Sequence, residues 1–242
     1  GGGAGLGARY LARKNAQSLA MIGSGGMARA YLEAIHVARD IRTVRVYSPT
    51  KANREAYALE MSEKLEIEIV PVDTPEEAIS GADIVAAATN AMTPALLGRW
   101  LEAGQHVTDV RGELDQEVYD RADVIFRQGV AHSRPRGETV EQMGDGFKNG
   151  DYFAGNDEEL SRLPQRHRQG EIGGSESYPT FNDLAGGKYP ARTSDDQVTL
   201  YLNSGNQGLQ FAAVGSVVYR KCLEQGLGRE LPTEWFLQDI RD

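Results

Sequence analysis

The 242-residue chain is 40% hydrophobic and 25% charged, an ordinary globular balance, and it is long enough to close one large core or two small ones. A net charge of −9 repels nucleic-acid backbones and anionic membranes, so neither is expected as a partner, and no apolar run nears the roughly 20 residues of a membrane span. A single cysteine, Cys222, and four histidines without ligand spacing give no basis for an internal disulfide or a metal site; with no secretory leader apparent, a reducing cytoplasm is the expected setting.

In chain order, Gly-Gly-Gly-Ala-Gly precedes a helix-like run at 6–13. The first glycines read either as a purification scar or as the interior of a longer protein. Residues 18–22, Ser-Leu-Ala-Met-Ile, form a short apolar run ending in glycines, the mark of a buried parallel strand. Apolar residues then recur at helical spacing through 27–39 (Met27, Tyr31, Ala34, Ile35, Ala38). A second strand is predicted at 43–47. A helix follows at 50–64, with Ser48 and Thr50 as capping hydroxyls and Pro49 near its first turn. After a third strand at 67–70, Thr-Pro-Glu-Glu at 74–77 marks a helix start with a hydroxyl cap and an acidic first turn. Further strands fall at 83–88, 105–110 and 123–126. Between 131 and 193 the pattern dissolves into glycine, proline and charge, with helical hints at 140–147 and 157–163, a stretch longer than an ordinary connection. Its Arg134, Arg136, Arg166, His167 and Arg168 suit either a carboxylate-recognising lid or a solvated excursion used in dimer contacts. A strand at 198–202 and a helix at 208–224, stopped by Gly226 and Gly228, complete the pattern. Cys222 is expected to pack within that helix, and Trp235, Phe236 and Leu237 to dock on another surface.

Strands alternating with helices imply βαβ crossovers, hence an α/β fold with a doubly wound parallel sheet of Rossmann type. The expected organisation is a lead-in helix at 1–17, a dinucleotide-binding domain at 18–202 interrupted by the irregular 131–193, and a C-terminal helix and tail at 203–242.

The chemistry lies in Gly-Ser-Gly-Gly-Met-Ala at 23–28, a strand-ending, helix-opening turn. Gly23 permits the tight turn, Gly25 lets a pyrophosphate approach the backbone, and Ala28 is small enough for the helix to pack on the sheet. With Ser24, Gly26 and Met27 they present the helix's unpaired amides and positive end to the diphosphate. The end of the second strand selects the nucleotide. NAD enzymes place an acid there for the ribose hydroxyls, whereas this chain has Ser48, Thr50, Lys51 and Arg54, which attract a 2′-phosphate. NADP(H) is therefore expected in preference to NAD(H), unless Lys51 and Arg54 are simply the solvated face of a helix. Ala88, Thr89 and Asn90 follow the fourth strand, where small side chains leave room for a ribose or merely form a loop.

Together, ARYLARKNAQSLAMIGSGGMARAYLEAI at 8–35, VRVYSPTKANREAYALEMS at 44–62, ADIVAAATNAMTPAL at 82–96, and LEAGQHV and ELDQEVYDRADV at 101–107 and 113–124 resemble the ornithine cyclodeaminase/mu-crystallin family. The likeness covers most of 1–126 and resumes over 191–230. It implies hydride transfer between a nicotinamide and the α-carbon of an amino or imino acid, by a homodimer. It also implies that a stretch like 1–14 follows an N-terminal region, which forms most of the dimer and supplies the Arg and Lys that hold the substrate carboxylate. Those residues are not in this sequence, and the long C-terminal helix is expected to return toward them. The family's longer loop after the fifth strand, which carries a proton-exchanging aspartate, is shortened here. Asp109 or Glu113 is left to substitute for that aspartate, Arg111 to bind substrate, and Val110 to line the cofactor. In the turn after the last strand, Ser204, Gly205 and Asn206 correspond to the family's approach to the nicotinamide, or simply cap the helix; the family's Gln-Asp pair beyond it is replaced by Leu209 and Gln210. An NADP-dependent imino-acid reductase or amino-acid dehydrogenase is the leading expectation. Ornithine cyclodeaminase is its sibling, and a non-catalytic NADP(H)-binding protein the alternative of another class.

Overall fold

The first strand, β1 (Ser18–Ile22), buries both of its faces: Leu19 and Met21 join one core, Ala20 and Ile22 the other. A strand alternates its side chains, so this requires helices on both sides of the sheet. The structure, a computed structural model, describes residues 1–91, 93–110, 114–129, 178–203 and 207–235. Beside β1 run β2 (Thr43–Tyr47), β3 (Glu68–Pro71), β4 (Ile84–Ala87), β5 (His106–Asp109), β6 (Val124–Arg127) and β7 (Thr199–Leu202), all parallel, in the order β3-β2-β1-β4-β5-β7-β6. The chain leaves β1 toward β2 and leaves β4 toward β5, so its direction across the sheet reverses between β1 and β4. This is the doubly wound Rossmann arrangement.

Helices α1 (Gly2–Leu11), α2 (Gly26–Ala38) and α3 (Lys51–Leu65) line one face with Ala8, Tyr31, Leu32, Ile35, Tyr57 and Met61. Helices α4 (Pro75–Ile79) and α5 (Gln116–Arg121) line the other with Ile79 and Val118. The helix start at Thr74 is as expected: its hydroxyl accepts the Glu77 amide at 3.1 Å, with Pro75 at the first helical position. The cap of α3 is not. Thr50 is the N-cap, but neither its hydroxyl nor that of Ser48 caps the helix, and Pro49 lies before the cap. Within 131–193 only 178–193 is described, and that part holds α6 (Phe181–Ala185), opened by a Thr180–Asp183 capping box. The helical hints at 140–147 and 157–163 and the basic cluster at 134–168 lie outside the described residues.

Four of the first seven residues, Gly1, Gly3, Gly5 and Gly7, are glycines packed closely against other elements. Helix α1 carries glycine on two stripes four residues apart. A Cβ on Gly1 or Gly5 would lie 2.1 or 2.7 Å from the carbonyl oxygens of Ala30 and Ala34 on α2. On the opposite stripe, a Cβ on Gly3 would lie 2.0 Å from Asn203 Oδ1, and one on Gly7 2.6 Å from the buried Tyr201 ring. Each interior helical glycine costs about 1 kcal/mol in propensity. Here that cost secures contact at backbone distance between α1, α2 and β7.

The chain divides after residue 205 into two compact units. The second holds α7 (Gln207–Gln225), which ends as expected. Gly226 adopts φ +63°, and the Leu227 amide reaches back to the Cys222 carbonyl at 2.8 Å. Phe211, Val214, Val218 and Leu223 are exposed along this helix, and so is Trp235; Phe236 and Leu237 lie outside the described residues.

At the amino end of the sheet, His106 is fully buried. Its Nδ1 lies 2.9 Å from the Thr199 hydroxyl, which itself donates to the Leu11 carbonyl and accepts from Arg192. Burial, then the Arg192 and Arg39 charges, push the imidazole down to about 3. Between that value and the ordinary pKa of about 6.5 the unfolded chain binds the proton and the native one does not, so stability falls on acidification. This residue alone contributes a slope of about 1.4 kcal/mol per pH unit over that window. Urea unfolding between pH 4 and 6.5 is expected to show a shallower pH slope for His106→Gln than for wild type; parallel slopes would contradict this assignment.

Candidate functional site

The carboxyl ends of the strands form a single rim. The Gly23 amide donates to the Tyr47 carbonyl at 2.8 Å, and the Ala88 amide to the Ile22 carbonyl at 2.9 Å. The Asn203 amide donates to the Asp109 carbonyl at 2.7 Å. These bonds set Gly23, Ala88 and Asn203 in one row just beyond β1, β4 and β7, with Ser48 following Tyr47 beside them. The reversal between β1 and β4 opens at this rim, the place where an open α/β sheet receives its ligand.

The three glycines of the turn at 23–28 have different reasons to be glycine. Gly23 has φ +114°, and a Cβ there would lie 2.3 Å from the Ala88 carbonyl oxygen, so the protein's own backbone requires it. Gly25 and Gly26 are not required in this way. Gly25 has an ordinary φ of −81°, and a Cβ on either residue would meet nothing within 4 Å. Neither packing nor backbone strain requires them, and the space above them is open. Gly25 is the N-cap of α2, no side chain caps the helix, and its first turn holds no acid. An anion is what such a terminus accommodates. Met27 is exposed beside the turn, whereas Ala28 is fully buried against the sheet, as its small size requires.

A brace that the sequence did not disclose holds this turn in shape. Arg29 Nη1 donates to the Ser24 carbonyl at 2.7 Å, while its Nε and Nη2 engage the Glu60 carboxylate of α3 at 3.0 and 2.6 Å. The guanidinium lies over the Tyr57 ring, and the Tyr57 hydroxyl donates to the Ala28 carbonyl at 3.2 Å. The hydrogen bond to Arg29 holds the Glu60 carboxyl below its usual range and raises Arg29. These partners are far apart in sequence, so no local pattern reveals them.

The remaining expected site residues are distributed as follows. Ser48 is buried. Lys51 is exposed, 3.7 Å from Glu55 in a solvated i,i+4 pair of little strength. Arg54 is not on the solvated face of α3 at all: it is 6% exposed, donates from Nη1 to the Ser48 carbonyl at 2.9 Å, and pairs through Nη2 with Asp73. Thr89 is half-buried, with its hydroxyl on the Ala91 amide at 3.1 Å, and Asn90 is exposed. Asp109, at the end of β5, is 2% exposed, and Val110 next to it is half-buried. Arg111, Glu113, Ser204, Gly205 and Asn206 lie outside the described residues. Among the described residues, no group of three or more His, Cys, Asp or Glu side chains converges, and no helix is long and apolar enough to cross a membrane.

The family model described as ornithine cyclodeaminase/mu-crystallin family matches residues 1–226. The chain belongs to that family. Among its members, a Δ1-pyrroline-2-carboxylate reductase of Bacillus cereus is 28% identical over 230 residues, covering 94% of this chain and 64% of the relative. The solved Δ1-pyrroline-2-carboxylate reductase of Thermococcus litoralis, in complex with NADH and L-proline, is 27% identical. It superposes with a TM-score of 0.72, covering 94% of this chain and 64% of that one. An archaeal alanine dehydrogenase dimer with bound NAD is 25% identical, with a TM-score of 0.68, covering 95% of this chain and 64% of that one. The chain thus spans less than two thirds of the length of the relatives it matches.

Proposed function

We propose that this chain is the dinucleotide-binding part of an NADP-dependent oxidoreductase that moves a hydride between the nicotinamide and the α-carbon of an imino or amino acid. The observation that carries this reading is the pair Gly25 and Gly26, where no protein atom fills the space a side chain would take and a ligand's phosphates would fit, at the start of α2 that no side chain caps. The amides of 25–28 would hold the diphosphate, and Ala88, Thr89 and Val110 would bound the ribose and nicotinamide. The bound nicotinamide supplies the hydride; imine reduction also requires a proton at the substrate nitrogen. Asp109 at the rim is the candidate to hold that proton, with Glu113 as alternate, Arg111 as a substrate contact, and Ser204, Gly205 and Asn206 toward the carboxamide. The pyrroline-2-carboxylate reductase and alanine dehydrogenase relatives support an imino- or amino-acid substrate. A cyclodeaminase of the family uses the same hydride step. The dimeric alanine dehydrogenase supports a homodimer, and the lone cysteine a cytoplasmic setting.

For the nucleotide, no acid occupies 47–50, and Ser48, Thr50, Lys51 and Arg54 offer hydroxyls and cations that would attract a 2′-phosphate. Each charge-assisted hydrogen bond contributes about 1.5–3 kcal/mol, so NADPH is expected to bind at least about tenfold more tightly than NADH. Tighter NADH binding in a fluorescence titration would refute the preference. A second reading, a non-catalytic NADP(H) binder, is favoured by the direct run from Asp109 to Glu113 without the family's longer loop. Oxidation of NADPH across a panel of cyclic and linear imino acids supports the enzyme; nucleotide binding without oxidation of any of them supports the binder.

A further inference from the structure

Arg54 is the buried cation at the end of β2, and Asp73 is its exposed partner. Val46 of β2 lies in register with Pro71 of β3, so Ser48 and Asp73, each two residues further on, reach the same rim. Arg54 rises from the first turn of α3, and its guanidinium is held between these two points: Nη1 donates to the Ser48 carbonyl at 2.9 Å, and Nη2 to the Asp73 carboxylate. The two partners differ sharply in exposure. The Arg54 side chain is 8% exposed and that of Asp73 84%. A Rossmann fold receives the adenosine ribose at this place, and this chain lacks the usual acid on β2.

Resting on the dinucleotide reading above, we infer that Asp73 is a specificity-determining residue for the nucleotide. Its carboxylate neutralises Arg54 and offers an acceptor when the ribose bears a free 2′-hydroxyl, and it yields the guanidinium when the ribose bears a 2′-phosphate. The guanidinium is a fixed fork of five donors and cannot shed its charge, so whichever anion faces it, carboxylate or phosphate, takes the Nη2 donor that Asp73 holds. Being exposed, the Asp73 carboxylate returns to water with little penalty when displaced, while the buried Ser48 carbonyl keeps its bond and holds Arg54 in place. The two anions compete for one cation. Asp73 therefore lowers NADPH affinity and sustains NADH affinity, which permits NAD(H) use in a chain otherwise suited to NADP(H).

The test is fluorescence titration of NADPH and NADH into wild type, Asp73→Asn and the double variant Asp73→Asn/Arg54→Gln, with melting temperatures measured in parallel. Asp73→Asn is isosteric at an exposed position and is expected to melt as wild type does. Its NADPH-over-NADH preference is expected to rise about tenfold, and the gain to vanish in the double variant. A general loss of structure would weaken both nucleotides together, so a change in their ratio isolates the effect. A preference within twofold of wild type in Asp73→Asn overturns this assignment alone. Failure of the folded wild-type chain to bind either nucleotide overturns the dinucleotide reading and this assignment with it.

Discussion

Gly25→Asp is expected to abolish dinucleotide binding while leaving the fold as stable as wild type, or slightly more so. Gly25 is the N-cap of α2 in extended conformation, φ −81° and ψ −174°, and a Cβ there meets nothing within 4 Å. Aspartate is a better N-cap than glycine by a few tenths of a kcal/mol, and its charge suits the positive helix end. The same carboxylate fills the space through which a diphosphate must approach, and it repels the phosphates. Loss of two charge-assisted hydrogen bonds at about 1.5 kcal/mol each lowers affinity on the order of 100-fold before any repulsion is counted. Calorimetric titration with NADPH alongside thermal unfolding reads both effects. A variant that binds as wild type does would show that Gly25 does not face a ligand.

The second large effect is expected at the packed glycines of α1. Gly7→Val places a Cβ 2.6 Å from the Tyr201 ring, and Gly5→Val places one 2.7 Å from the Ala34 carbonyl oxygen. Tyr201 is fully buried on a central strand and Ala34 is backbone within α2, so neither can retreat without moving its element. Overpacking of this kind costs about 1–3 kcal/mol and more where backbone must shift, a large share of a typical stability of roughly 5–15 kcal/mol. Gly2→Ala is the internal control. It lies on the same helix with nothing within 4 Å, and the change is expected to be neutral or to stabilise slightly. Urea unfolding of the three variants tests this. Equal stabilities would mean that α1 is not packed at backbone distance.

The sequence disclosed elements where a period had room to repeat. The limits of β1 and β2 are those expected from their apolar runs, and α2 and α3 begin and end within one residue of expectation because 13 and 15 residues show a helical period several times over. Helices α5 and α6, of six and five residues, are too short for that. Their only local signal is the cap: Asp115, which accepts the Val118 amide, and Thr180 with Asp183 three residues on.

At the site, the turn at 23–28 was legible as a strand-to-helix turn because its signal is local: glycines, a strand before them and a helix after. The Arg29–Glu60 brace was not, since its partners are 31 residues apart and meet only once α2 and α3 lie side by side. Lys51 and Arg54 looked alike in sequence, two cations on one helix. Three residues advance the helix by nearly a full turn, yet what separates them is the partner each meets: Glu55 in water for Lys51, the Ser48 carbonyl and Asp73 for Arg54. The glycines of α1 were visible as a composition, but their purpose depends on Ala30, Ala34, Tyr201 and Asn203, which lie on other elements.

The central claim is that the start of α2 receives the linked phosphates of a nicotinamide dinucleotide. Amide-resolved NMR of the chain titrated with NADPH tests it most directly. The largest shift changes are expected at the backbone amides of Ser24, Gly25, Gly26 and Met27, with smaller ones at Ser48 and Ala88. Well-folded protein whose amides at 24–27 stay fixed at millimolar nucleotide would contradict it.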